Sequence, residues 1–368
     1  MSLWLDGVSR SYPPLDGDVT ADVAIVGAGI AGIATAYFLA SAGVKVVVLE
    51  ARGVAEAASG RNAGFLLAGV AENFVAASHR YGEANALRIW RFTKRTQALV
   101  RSLVAEHGIN CRLSWNGSDQ IAGDDDEWRE IQESARRLAS ERVAVTVDPS
   151  ERRATYAEDG EFHPVRWVRG LAAAAVGRGA KIHESTRVSA IRQGQALTSG
   201  GVVRAGSIVL CTNAYTAHLA SSRVRPVRGQ MLATAPTTPL FARPAYANRG
   251  YRYWRQRADG RVLVGGWRDT AALEEVGEEE RTTDTIQEQL EAFLRERGIT
   301  AQVTHRWAGT MGFSHDALPY IGAIAPGVFV CGGFTGHGMA FGPASAELVA
   351  TLVRGATHPD ADLFDPMR

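Results

Sequence analysis

Cysteine, lysine, net charge and long apolar runs are all in short supply in this chain. Its three cysteines, Cys111, Cys211 and Cys331, lie far apart and form no CxxC pair, which excludes a disulfide framework and a thiolate metal knuckle. They read as buried small hydrophobes. His79, His107, His183 and His218 show no metal-ligand spacing, so no metal site is expected. A net charge of +1 leaves no electrostatic footprint for nucleic acid or an anionic membrane surface. No window approaches about eighteen uninterrupted apolar residues, the length a membrane helix needs, and the N-terminus lacks a basic segment leading into an apolar core. Neither a membrane span nor a secretory signal is expected, and the expected location is cytoplasmic. Basic residues are almost all arginine, with lysine at Lys45, Lys94 and Lys181 only.

What is present is an ordinary globular composition, 46% hydrophobic and 21% charged over 368 residues. That length suits two domains or one large α/β unit. Near its start, Val23-Ala24-Ile25-Val26-Gly27-Ala28-Gly29-Ile30-Ala31-Gly32 leads to a second apolar run, Val44–Leu49, closed by Glu50. This reads as strand, glycine turn, helix, strand, acid. Gly27 permits the tight turn, Gly29 lets backbone approach a pyrophosphate, and Gly32 lets helix and strand pack closely. The helix N-terminus adds free N–H groups and a positive dipole end. Glu50 is placed to accept from a ribose 2′-OH and would repel a 2′-phosphate, which favours FAD or NAD over NADP.

Further along, apolar periodicity predicts helices over 80–107, 124–141, 167–177 and 283–297. Strands are predicted over 181–184, 187–191 and 207–210. A hairpin is predicted from 251–256 and 262–267 around Asp259-Gly260, a pair that supplies the positive φ of tight turns. The last strand, 328–331, runs into Gly332-Gly333-Phe334-Thr335-Gly336-His337-Gly338 and a final helix containing Pro343. A glycine turn feeding a helix again aims N–H groups at negative charge.

Taken together, these motifs resemble the D-amino-acid oxidase–like FAD-dependent amine oxidoreductases, the family of glycine oxidase and sarcosine oxidase. The further carriers are Ser59-Gly60-Arg61-Asn62-Ala63-Gly64, Cys211-Thr212-Asn213-Ala214-Tyr215, Pro226-Val227-Arg228-Gly229-Gln230, Gly265-Gly266, Leu318-Pro319-Tyr320-Ile321-Gly322 and Gly333–Gly338. The Ser-Gly-Arg-Asn loop and the hairpin look most like the γ-glutamylputrescine oxidase branch. The resemblance implies an α/β plus α+β architecture: a Rossmann-like FAD-binding domain (18–80, 150–220 and 305–368) interleaved with a substrate domain (81–149 and 221–304) built on an antiparallel sheet. It implies FAD contacts from Gly27, Gly29, Ile30, Ala31, Gly32, Glu50, Ala51 and Arg52. More are implied at Ser59, Gly60, Arg61, Asn62, Ala63, Gly64, Val188, Thr212, Gly309, Gly333, Gly336, His337, Gly338 and Met339.

The sequence also departs from these relatives. Sarcosine oxidase–type members hold the flavin through a cysteine where this chain has Trp307–Gly312, so noncovalent FAD is expected. Their oxygen-activating lysine and their carboxylate-holding lysine after Gly-His-Gly are missing, the latter replaced by Met339-Ala340-Phe341. Oxygen or another electron acceptor remains open. The pocket candidates are Tyr253, Trp254, Trp307 and His315, with Tyr251, Trp267 and Phe313 beside them. Strand alternation puts Tyr251, Tyr253 and Arg255 on one face and Arg252 and Trp254 on the other. One of Arg249, Arg252 and Arg255 is a candidate for a substrate carboxylate, two being expected on a solvated face. The leading expectation is oxidation of an amine or amino-acid C–N bond to an imine by hydride transfer to flavin N5. The alternatives are a 2-hydroxy-acid dehydrogenase, which needs a base such as His315 or His337, and a non-catalytic FAD protein.

Overall fold

The structure, a computed structural model, describes residues 1–7 and 10–368. Seven helices occur among them: α1 (Ile30–Ser41), α2 (Phe74–Tyr81), α3 (Glu83–His107), α4 (Asp125–Ser140), α5 (Pro164–Gly177), α6 (Asp284–Glu296) and α7 (Gly338–Val353). The helix predicted over 80–107 breaks at Gly82, whose φ of 81° ends α2 and starts α3. Asp124 caps α4 by accepting from the Glu127 N–H at 2.7 Å, as the acidic run before that helix suggests.

Two sheets carry the fold. In the first, the order is Tyr320–Ala325, Val328–Gly332, Gly201–Leu210, Val19–Val26, Val46–Leu49, Lys181–His183. From Val328–Gly332 onward its neighbours are parallel, while Val188–Arg192 and Gln195–Thr198 attach as an antiparallel ribbon. Val46–Leu49 is buried throughout, as a strand covered on both faces should be. α1 is buried nearly all round because the sheet, α5 and α7 all pack on it.

The second sheet runs Val303–Phe313, Arg225–Pro236, Arg261–Gly266, Arg252–Gln256, Ala245–Ala247, Ser118–Ile121, Arg153–Tyr156, Val145–Asp148. Its pairs are antiparallel except Ala245–Ala247 on Ser118–Ile121. α6 covers one face through Ile286, Leu290, Phe293 and Leu294 against Leu232, Trp254, Val262 and Val264. Arg153–Tyr156, within the 150–220 segment, and Val303–Phe313, which straddles the 304/305 boundary, both pair in this second sheet. Periodicity did not flag Arg225–Pro236 as a strand because its inward positions include the buried polar residues Arg228 and Gln230. Both are satisfied by Glu275, at 2.9 Å each, from a distant loop.

Candidate active site

A cavity of about 500 Å³ opens at the carboxyl ends of the first sheet's parallel strands and runs to the inner face of the second. Crevices at strand carboxyl ends are the ligand sites of open α/β sheets. Gly27, Gly29, Ile30, Ala31, Glu50, Ala51, Arg52, Ser59, Arg61, Asn62, Ala63, Gly64, Val188, Thr212, Gly309, Gly336, His337, Gly338 and Met339 all line it. Gly32, Gly60 and Gly333 lie behind the wall. At Gly32 a Cβ would stand 1.9 Å from the Gly27 carbonyl oxygen, and at Gly60 one would stand 2.1 Å from that of Ala55. Their role is close packing, not lining.

The helices α1 and α7 both point their N-termini into this cavity, giving two positive dipole ends. The Ser59 hydroxyl accepts from the Ile30 N–H at 2.9 Å. Asn62 holds its own loop closed, donating to the Ala58 and Ser59 carbonyls and accepting from the Gly64 N–H at 2.8 Å. Glu50 accepts from the N–H groups of Ala28 and Arg52, both at 2.7 Å. Burial pushes its carboxyl above the usual range, against the pull of those two donors. Glu280 ties down both neighbouring guanidiniums, 2.8 Å from Arg52 and 3.1 Å from Arg61.

At the far end stand Tyr246, Tyr251, Tyr253, Arg268, Phe313 and His337. Burial pushes the Tyr253 hydroxyl up to about 12 and raises Tyr246 as well, so both stay protonated donors. Burial also lowers the His337 imidazole, and the nearby Arg268 charge adds to that. The His337 Nδ1 is 3.2 Å from the Thr335 carbonyl, while its Nε2 is buried without a partner.

Three of the four pocket candidates lie elsewhere. Trp254 faces α6, with its ring 4.8 Å from Phe293. Trp307 is buried and donates its indole N–H to the Arg61 carbonyl at 2.9 Å, so it supports the loop from behind. His315 sits on a surface turn with 56% of its side chain exposed and its Nδ1 2.7 Å from the Tyr320 hydroxyl. Tyr253 does line the cavity, on the face opposite Trp254. The three hairpin-region arginines are all engaged: Arg249 by Glu130, Arg252 by Asp269, and Arg255 by Glu161. Arg255 is also buried, not solvated. Sequence reasoning missed Tyr246, whose three-residue strand offers no periodic signal.

The donor set fits a dinucleotide with an aromatic ring system: a helix N-terminus and glycine turn at one end, an acid beside them, and an orphaned buried imidazole nitrogen beside a second helix N-terminus. The family model described as FAD dependent oxidoreductase (DAO) matches residues 22–352. The chain belongs to the DAO family of FAD-dependent oxidoreductases. Its cofactor is FAD. Similar curated proteins include γ-glutamylputrescine oxidoreductase of Escherichia coli (26% identical, 97% of this chain and 89% of that protein). Glycine oxidase of Pseudomonas aeruginosa is 29% identical over 90% of this chain and 94% of its own. Among solved structures, glycine oxidase from Geobacillus kaustophilus superposes with a TM-score of 0.80 at 24% identity, covering 95% of this chain and 99% of that one. This likeness shows the fold, including the FAD-binding Rossmann-like sheet. No helix among the described residues is long and apolar enough to cross a membrane.

Proposed function

We propose that the chain oxidises the C–N bond of a small amine or amino acid to an imine, which water then hydrolyses. Bound FAD supplies the hydride acceptor. The observation that carries this reading is the composition of the far end of the cavity: tyrosines, Phe313 and the buried His337, with no carboxylate. Among the described residues the lining carboxylates are Glu50 and Glu278, held beside Arg52 and His218. An aromatic enclosure attracts an amine or ammonium by about 0.5–2 kcal/mol per contact. The His337 Nε2, buried without a partner while Nδ1 faces the Thr335 carbonyl, would be the atom that takes the ammonium proton before the C–H bond breaks. Oxidation of a hydroxyl needs a firm base at the reacting carbon; of its two candidates, His315 lies outside the cavity and burial lowers the basicity of His337.

The α1 N-terminus, Ser59 and Arg61 would hold the diphosphate, Glu50 the ribose and Val188 the adenine. The α7 N-terminus with Gly336, His337 and Gly338 would face the flavin. We take the FAD to be noncovalent, because the cavity-lining cysteine is Cys211, beside Gly27 at the opposite end from the tyrosines. Denaturation should release all the flavin into solution.

The amino-acid and amine substrates of the similar proteins named above point the same way. The test is anaerobic: a panel of amines, amino acids and hydroxy acids is added to the yellow protein while the visible flavin band is followed. Bleaching by an amine or amino-acid class supports the reading, and bleaching by hydroxy acids alone overturns it. Admitting air then separates oxygen from another electron acceptor by the speed of recolouring.

A further inference from the structure

The three cysteines are free, and all are buried. Two of them stand side by side. The parallel register of Gly201–Leu210 with Val328–Gly332 sets Leu210 opposite Val330, and one step further it brings Cys211 beside Cys331. Leu210 and Val330 pack on one face of the sheet, whereas Cys211 and Cys331 pack on the other, with α1 and α7. Beyond the pair, the Asn213 side-chain carbonyl accepts from the Gly333 N–H at 2.9 Å. The two chain segments are therefore held together on both sides of the thiols. Their closeness also shows in the Cys331 thiol, which the neighbouring Cys211 and burial together push well above its ordinary value.

The pair reaches the cofactor cavity through Cys211, which lines it, while Cys331 has no exposed surface. Cys211 is also locked to the glycine turn that would receive the FAD diphosphate. Its N–H donates to the Val26 carbonyl at 2.8 Å, and a Cβ on Gly27 would stand 2.8 Å from its carbonyl oxygen. Neighbouring strands lie about 4.8 Å apart, inside the range of about 4.4–6.8 Å that a disulfide spans between Cα atoms. The bond itself needs the sulfurs at about 2.05 Å with a defined torsion. Closing it draws Cys211 toward Cys331 and disturbs the turn at Gly27.

We propose that Cys211 and Cys331 form a modification site: hydrogen peroxide converts them to a reversible disulfide when the cofactor cavity is empty, and bound FAD shields them. Peroxide enters through the cavity and oxidises the Cys211 sulfur to a sulfenic acid, releasing one water. The Cys331 sulfur then displaces the hydroxyl group, and its own proton leaves with that hydroxyl as the second water. Two thiols thereby lose two electrons and two hydrogens, and one peroxide becomes two waters. Cys111 lies on neither strand and serves as the internal control.

The experiment exposes the full chain, with FAD bound and stripped of it, to hydrogen peroxide, then alkylates the remaining thiols and weighs the protein. Stripped wild type should lose two of its three thiols and yield one reducible peptide pair joining Cys211 to Cys331. Dithiothreitol should restore all three. The FAD-bound protein should react at least about tenfold more slowly, because access to the thiol governs its oxidation. Oxidised, stripped protein should bind FAD about tenfold more weakly and recover on reduction. Cys331→Ser should stop at the Cys211 sulfenic acid, which dimedone traps; the wild-type mass and peptide map decide even where that variant fails to fold. Retention of all three thiols, a link that includes Cys111 or joins two chains, or an equal rate with and without FAD overturns the proposal. FAD affinity unchanged by oxidation would cut the pair's link to the glycine turn and overturn it as well.

Discussion

The Ser59 hydroxyl accepts a 2.9 Å hydrogen bond from the backbone N–H of Ile30, at the first turn of α1. One side chain thereby joins the 58–64 loop to the helix end that would receive the FAD diphosphate. Gly29 makes the approach possible, since a Cβ there would stand 2.9 Å from that same hydroxyl oxygen. Ser59→Ala removes an N-cap-like acceptor, which costs about 1 kcal/mol. The apoprotein should lose roughly that much stability in urea. The FAD dissociation constant, followed by flavin fluorescence, should rise by about tenfold, the equivalent of 1.4 kcal/mol. Unchanged FAD affinity would separate the loop from the cofactor.

Gly32 is a sharper test of the same region. A Cβ at Gly32 would sit 1.9 Å from the Gly27 carbonyl oxygen and 3.3 Å from the Cys211 Cβ. Neither backbone can move without parting α1 from the sheet. Gly32→Ala should therefore yield protein that is colourless or insoluble, whereas alanine at Gly43, which has open space around it but a φ of 80°, should cost about 1 kcal/mol and keep the flavin. The ratio of visible to ultraviolet absorbance of the purified variants decides it.

These glycines were legible in the sequence because each acts locally, within a strand–turn–helix whose apolar runs are unbroken. The aromatic pocket was less so. Alternation correctly separated Tyr253 from Trp254, but it does not say which face of a strand looks into a cavity and which meets a helix. That was decided by α6, which closes over Trp254. Trp307 was misplaced for a similar reason: its indole N–H is consumed by the Arg61 carbonyl, a contact 246 residues apart in sequence. The strand carrying Arg228 and Gln230 was hidden because its polar inward residues are satisfied by Glu275, which no local pattern connects to them.

Arg255 shows how the hairpin supports the cofactor loop. Its guanidinium is buried, 2.8 Å from Glu161, and its Nη1 donates to the carbonyls of Ala63, Gly64 and Phe162 at 3.1–3.2 Å. Arg255→Met leaves Glu161 charged and unpaired in the interior, a defect worth about 3–5 kcal/mol. Glu161→Gln together with Arg255→Met should recover much of that loss, because two neutral residues replace a broken pair. Chemical denaturation of the wild type, both single variants and the double variant measures the coupling. Additive losses would show that Arg255 acts through the loop carbonyls and not through Glu161.

Asp159 gives the protein a pH dependence whose direction follows from its surroundings. It is buried, accepting from the Ser118 hydroxyl at 2.6 Å, from Gln97 at 2.7 Å and from the Ala68 N–H at 3.0 Å. Burial pushes its carboxyl up from 3.8 to about 6, although those three donors and Lys94 pull the other way. A carboxyl whose folded pKa exceeds its unfolded one binds its proton more tightly in the folded state. Its stabilising contribution is complete below about pH 4 and is lost as pH rises through 6; two units correspond to about 3 kcal/mol. Asp159→Asn keeps the shape and, with its amide NH2 toward Ser118, can keep all three contacts, the serine hydroxyl turning to accept. Relative to wild type, Asp159→Asn should therefore gain about 3 kcal/mol between pH 4 and pH 8, read from urea midpoints at each pH. Because any packing cost of the asparagine is the same at both pH values, only the change in the difference matters. A difference that stays constant across that window would mean that Asp159 remains ionised in the folded protein.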